Sequence, residues 1–172
     1  MSKHTHILGI DPDLTKSGIA ILNIAERRFE AVQAMPFADV IKMLDTLGSG
    51  DRPCDLLVVI EDSSNSTNWH LGGVLKSGLP LMRKLSTAAA IGRSAGQCHA
   101  TLTHLKEYAE SVGLEVKMQK PLRKCWKGAD RKLSQAEAEQ FMVGLPKRCN
   151  QECRDSALLC WVVAGLPIRV KV

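Results

Sequence analysis

Leu56-Leu57-Val58-Val59-Ile60, followed at once by Glu61 and Asp62, is the stretch that decides the fold of this 172-residue chain. Five apolar residues without alternation describe a strand covered on both faces, as at the parallel centre of an α/β sheet. On its N-terminal side, Phe37, Val40, Ile41, Leu44 and Leu47 recur at helical spacing, and Gly48-Ser49-Gly50 ends that helix. Before it, His6 to Asp11 (HILGID) is an apolar run closed by a carboxylate, which suits a buried strand. Pro12 to Gly18 supplies turn chemistry, and Ile19 to Asn23 returns as a second strand, antiparallel because the connection is short. Phe29 to Met35 completes a meander.

On the C-terminal side, Ser63 to Ser77 is polar and turn-rich and predicts a loop. Pro80 to Val112 has a helical pattern whose middle, Ala90 to Gly96, is rich in small residues that permit another backbone to approach. Gly113 ends this helix and Leu114 to Met118 is a short fifth strand. Gln119 to Lys132 is basic and irregular. Ser134 with Glu137 forms the reciprocal capping pattern that starts a helix predicted to reach Val143. Asn150 caps a last helix from Gln151 to about Ala164, ended by Gly165 and Pro167. The order β-β-β-α-β-α-β-α-α predicts an α/β fold over residues 1–172, one domain. Its mixed sheet joins an antiparallel three-strand meander to parallel strands and is flanked by helices.

A composition of 45% hydrophobic and 24% charged residues fits one domain able to enclose a core. The longest apolar stretch, Ala157 to Leu166, falls short of the ~20 residues of a bilayer span. Met1 to His6 lacks the apolar segment of a secretory signal, so the expectation is a cytoplasmic protein with no membrane partner. Cys54, Cys98, Cys125, Cys149, Cys153 and Cys160 show no C-x-x-C pairing and are read as reduced thiols. The net charge of +5 is uneven: residues 114–172 hold twelve Lys/Arg against six Asp/Glu, and the rest eleven against twelve. A basic C-terminal third points to a polyanionic partner. Within it, Lys117, Lys120, Arg123, Lys124, Lys127, Arg131 and Lys132 surround Trp126, a cluster suited to phosphate contacts with a stacking aromatic. Among the histidines, His70 in the polar loop is the candidate proton shuttle; His99 and His104 are read as structural or surface residues.

Carboxylates mark the other candidate feature. Asp11 and Glu61 end two strands; if those strands are parallel neighbours, both emerge at the carboxyl edge where open α/β sheets bind ligands. Glu152 and Asp155 stand three apart on the last helix and share a face. Each alone has an ordinary reading as a turn, strand-end or first-turn residue. Together they cannot crowd unneutralised, because like charges at close range raise one another's pKa. A divalent cation resolves the repulsion, and oxygen donors without a His/Cys set favour Mg²⁺ or Mn²⁺. Two such ions about 4 Å apart can activate a water and stabilise the leaving oxygen of a phosphodiester.

These segments have a family likeness. Ile7-Leu8-Gly9-Ile10-Asp11-Pro12 resembles the opening of RuvC-type Holliday junction resolvases, members of the RNase H-like superfamily. Val58-Val59-Ile60-Glu61 resembles that family's second acidic strand end, and Ala90 to Gly96 its small-residue helix segment. Glu152-Cys153-Arg154-Asp155-Ser156-Ala157-Leu158 is similar to its closing acidic helix. Lys120-Pro121 and Trp126-Lys127 resemble the phage branch. The resemblance implies an RNase H-like fold, a homodimer, and Mg²⁺-dependent nicking of two strands of a four-way DNA junction. It makes Asp11, Glu61, Glu152 and Asp155 the metal ligands and catalytic residues, and sets Lys127 and Lys132 near the family's DNA-contacting lysines. Three departures stand out: Asp13 replaces a glycine, Glu152 an aspartate, and Ser63-Ser64-Asn65 an aromatic for which Trp69 is the nearest substitute. The rival readings are a branched-DNA or replication-fork nuclease, a DNA-binding module that does not cut, and an actin-like ATPase. The last needs two such halves.

Overall fold

The computed structural model describes residues 4–49, 55–64, 71–122 and 125–169. The LLVVIE stretch is strand β4 (Leu56–Glu61), flanked by β1 (His6–Asp11) and β5 (Glu115–Gln119), both parallel to it. β2 (Ser17–Asn23) runs antiparallel to β1, and β3 (Arg28–Met35) antiparallel to β2, giving the order β3-β2-β1-β4-β5. The central strand is apolar throughout because helices cover both of its faces. On one face, α1 (Phe37–Gly48) and the C-terminal third of α3 (Leu81–Ser111) enclose Leu8, Ile10, Ile19, Val58 and Ile60. On the other, α5 (Gln151–Val163) and the residues around α4 (Gln135–Ala138) enclose Ile7, Ala20, Leu22 and Val59.

The two-residue period of a strand assigns the next side chains. Leu8 and Ile10 of β1, and Val58 and Ile60 of β4, belong to the α1/α3 face; Ile7 and Val59 belong to the α5 face. Asp11 and Glu61, one position beyond Ile10 and Ile60, therefore fall on the α5 side. Two glycines let that helix lie directly on the sheet. A Cβ on Gly9 would stand 2.5 Å from the Ser156 carbonyl oxygen, and one on Gly18 would collide with the Glu152 carbonyl.

The sequence expectations differ from the structure in two places. The predicted loop from Ser63 to Ser77 contains a short helix, α2 (Leu71–Lys76). The helix predicted to reach Val143 stops at Ala138, because the chain turns to pair with the edge of the sheet. Val143 bridges Arg28, the Phe29 N–H donates to the Val143 carbonyl at 2.8 Å, and Gly144 at φ +94° lies against Phe29 backbone. Tertiary pairing there overrides local propensity. Along α3 the buried residues are Leu102, Leu105 and Ala109, while Leu81, Met82 and Leu85 of its first two turns are exposed. Among the described residues no helix is long and apolar enough to cross a membrane.

Candidate active site at the carboxyl edge of the sheet

β1 and β4 pair in register through Ile10 opposite Ile60, so Asp11 and Glu61 leave the sheet side by side. The antiparallel partner of Asp11 is Gly18, the residue that lies against the Glu152 backbone, so the register places the first turn of α5 over Asp11. That turn is fixed by Asn150, whose side-chain oxygen accepts the Cys153 N–H at 2.9 Å. Asp155 follows less than a turn after Glu152 on the same helix.

The electrostatics report the convergence. The Asp11 carboxyl is held well above its ordinary range, first by burial and then by the negative charges of Glu61 and Asp155, with a smaller push from Glu152. Lys132 is the cation that opposes them. Its Nζ donates to Asp155 Oδ2 at 2.8 Å, and burial works against its charge. Asp155, Asp11 and Glu152 more than offset that burial and raise the Lys132 pKa. The second oxygen of Asp155 accepts from Gln151 Nε2 at 2.7 Å. Gln151 in turn accepts from Arg154 Nη2 at 2.8 Å, while Arg154 Nε donates to the Leu133 carbonyl at 2.9 Å and Nη1 to the Cys149 carbonyl. The start of α5 is thus tied to residues 132–133 by two bonds of opposite direction.

The donors are oxygens without imidazole or thiolate, which in kind fits a hard divalent ion. Among the described residues, no three His, Cys, Asp or Glu side chains stand close enough as placed to enclose one. Each oxygen of Asp155 already accepts one hydrogen bond, Oδ2 from Lys132 and Oδ1 from Gln151.

The basic segment is ordered by a residue that the sequence reveals only as a helix cap. Glu137 is buried and accepts from the Lys127 N–H at 2.9 Å, the Ser134 N–H at 3.1 Å and the Ser134 hydroxyl at 2.7 Å. Lys117, Lys120, Lys127 and Arg131 are exposed, and the Lys120 charge reaches Asp62 beside the site. Among the described residues of this segment, Lys132 is the one turned into the carboxylates. Trp126 is half-buried and stacks on Phe141 at 6.0 Å, which meets Trp161 edge-on at 5.8 Å, so the indole packs onto the core. Arg123, Lys124, Trp69, His70 and Cys54 lie outside the described residues.

Helix α3 supplies a wall that sequence reasoning did not find. The Cys98 thiol is pushed up by burial and by Asp13 and Asp11, and His99 lies near enough to lower Asp62 after the hydrogen bonds from Ser64. The buried His99 Nε2 has no hydrogen-bond partner. No pattern of spacing marks either residue, because long-range packing alone brings α3 there. Asp13 serves its own turn: Oδ1 accepts the Thr15 N–H at 3.0 Å and hydroxyl at 3.2 Å. Cys98, Cys125, Cys149, Cys153 and Cys160 are free thiols, as expected.

No protein-family model matches the chain, and no curated protein matches it. Among solved structures, T. thermophilus RuvC in complex with a Holliday junction substrate is similar, with a TM-score of 0.54 at 12% identity. That likeness covers 91% of this chain and 90% of the other. A second Thermus thermophilus RuvC structure gives a TM-score of 0.48 at 13% identity, over 93% of this chain and 96% of the other. The first likeness shows the fold: an RNase H-like mixed sheet flanked by helices, as the sequence predicts. The expected closeness to phage members finds no support in it.

Proposed function

We propose that this chain is a structure-selective DNA endonuclease that resolves four-way junctions by metal-dependent phosphodiester hydrolysis. The observation that carries the reading is the register that sets Asp11 beside Glu61 at the edge of the sheet, beneath the first turn of α5 with Glu152 and Asp155. A fold indifferent to cations has no reason to hold four carboxylates at one sheet edge against their mutual repulsion. The likeness of the fold to a protein solved with a Holliday junction supports DNA as the partner.

Asp11, Glu61, Glu152 and Asp155 are the residues that would hold Mg²⁺, or Mn²⁺ in its place, as two ions. Bound there, such ions supply a water activated at neutral pH and charge compensation for the leaving oxygen. The protein's own part is positional. The register of β1 and β4 aligns Asp11 with Glu61, and Gly18 seats the first turn of α5 above them. Lys117, Lys120, Arg123, Lys124, Lys127, Arg131 and Lys132 are assigned to phosphates of the arms, with Trp126 as the aromatic beside them. The apolar, exposed start of α3, with Gly92 and Gly96 meeting nothing within 4 Å, is assigned to the homodimer that cuts two strands.

The test compares cleavage of a synthetic four-way junction, a replication fork and a linear duplex, with Mg²⁺ varied. The proposal expects paired, symmetric cuts in the junction, lost in Asp11→Asn and Glu61→Gln with junction binding retained. Equal cutting of fork and junction would make the chain a general branched-DNA nuclease. Wild-type cutting rates in either variant would refute the site.

A further inference from the structure

We propose that Lys132 is a positioning residue that competes with the divalent ion for Asp155, so that loading the site turns its ammonium outward toward a DNA phosphate. This inference rests on the proposed carboxylate metal centre. Its geometric basis is the 2.8 Å contact between Lys132 Nζ and Asp155 Oδ2, at a site where the two side chains are 33% and 16% exposed. Gln151 holds Oδ1 at 2.7 Å and Lys132 holds Oδ2, so an ion that binds Oδ2 must stand beside the ammonium's positive charge or displace it. The Gln151 amide is itself braced by Arg154, which also binds the Leu133 carbonyl, so Lys132 is the partner with the freer arm.

The backbone beneath Lys132 is fixed. Its N–H donates to the Ala129 carbonyl at 3.0 Å, and Leu133 is 1% exposed in the core next to α5. Only the four-carbon stem can move, so the ammonium stays within one side-chain length of the carboxylates in either position. While inward it faces Asp155, Asp11 and Glu152 and offsets a single charge of the cluster. A divalent ion offsets two, at oxygen distances near ~2.1 Å for Mg²⁺, and so competes well for the same oxygen. An ammonium released beside a site that binds phosphodiester has a new anion at hand. Lys132 therefore links the two halves of the proposed site, because the same nitrogen serves the acidic cluster and then the nucleic acid.

The experiment titrates Mn²⁺ into the purified full-length protein and follows the free ion by electron paramagnetic resonance. Wild type is compared with Lys132→Met, Lys132→Arg, Lys127→Met and Asp11→Asn. Losing the competitor should tighten Mn²⁺ binding about tenfold or more in Lys132→Met, as expected for an opposing charge in direct contact. Lys127→Met, an exposed charge, should change it less than about twofold. Lys132→Arg should bind no more tightly than wild type. Cleavage by Lys132→Met at saturating Mn²⁺ should nevertheless be slower than wild type, a split between metal affinity and rate that a merely structural lysine would not produce. As a second readout, the Lys132 side-chain NMR resonance of the wild-type protein should shift when Mg²⁺ is added. Unchanged or weaker Mn²⁺ binding in Lys132→Met, with Asp11→Asn having lost it, would overturn the role of Lys132 alone. Should Lys132→Met fail to fold, an unmoved Lys132 resonance on Mg²⁺ loading would overturn it. Equal Mn²⁺ binding in wild type and Asp11→Asn would overturn the metal centre as well.

Discussion

Gly9→Ala is the substitution that best separates the packing argument from the chemistry. Gly9 sits in the middle of β1, two residues before Asp11, on the face that receives α5. An added Cβ would stand 2.5 Å from both the Ser156 carbonyl oxygen and Cys160 Sγ, whereas ordinary contact begins at 3.4 Å. The Cys160 thiol can turn aside but the Ser156 carbonyl is backbone, so the helix must retreat by roughly 0.9 Å. Overpacking of this kind costs about 1–3 kcal/mol. At about 2–4 °C per kcal/mol for a domain of this size, Tm should fall by roughly 2–12 °C. The same retreat carries Glu152 and Asp155 away from Asp11 and Glu61, and a displacement near ~1 Å is enough to cost on the order of 10²-fold in rate. Thermal melts with and without metal, run beside single-turnover junction cleavage, measure both quantities. Gly73→Ala is the contrast: nothing lies within 4 Å of that site, so stability should hold or rise. A Gly9→Ala protein with wild-type Tm and wild-type cleavage would show that α5 is not seated by the glycines and would refute the argument.

Three further outcomes follow from the charges. Asp11 has a folded-state pKa above its ordinary value of 3.8, so the native state holds that proton more tightly than the unfolded chain. Its contribution to stability therefore decreases as pH rises through the window above 3.8, and Asp11→Asn in EDTA should raise Tm at neutral pH and flatten the pH profile; a lower Tm would contradict the crowding. Glu137 is shifted the other way, below 4.5, so its stabilisation is present above that value and is lost as pH falls through the folded one. Glu137→Gln should cost about 1–2 kcal/mol at pH 7 by denaturant melts, with the difference shrinking in acid. It should also weaken junction binding by loosening Lys127. Junction affinity should fall steeply and linearly on a log–log plot against salt, and a salt-independent Kd would contradict the basic interface.

The sheet was legible because its strongest signals are local. LLVVI without alternation, HILGID ending on a carboxylate, and a seven-residue turn dictate strand type and pairing without help from distant residues. The capping pattern at Ser134 and Glu137 is likewise present, with both bonds formed. Legibility fails where a long-range contact decides. Nothing in the period of residues 134–143 reveals that Val143 will pair with Arg28 and end the helix at Ala138. Nothing in the basic run separates Lys132, which turns into the carboxylates, from Lys127, which stays exposed. Cys98 and His99 beside Asp13 and Asp62 are invisible for the same reason, since their place depends on how the end of a 31-residue helix packs. The sequence reads Trp126 as a stacking aromatic among basic residues, and its stacking on Phe141 shows how much of the ring belongs to the core.

Stability and chemistry meet at one residue boundary in each of two strands. Up to Ile10 and Ile60 the alternation sends each apolar side chain into one of two apolar layers, and burial there supplies the free energy that holds the sheet. One residue later the same alternation delivers a carboxylate to the α5 face, where burial works against it. The arrangement persists because the gain along β1 and β4 exceeds the penalty at their ends, and because Lys132 offsets part of that penalty. Moving either strand by one residue would exchange the faces, sending Asp11 or Glu61 toward α1 and α3 and an isoleucine toward Glu152. The register that makes the core dry is therefore the register that gathers the acids, and a substitution that relaxes one should release the other.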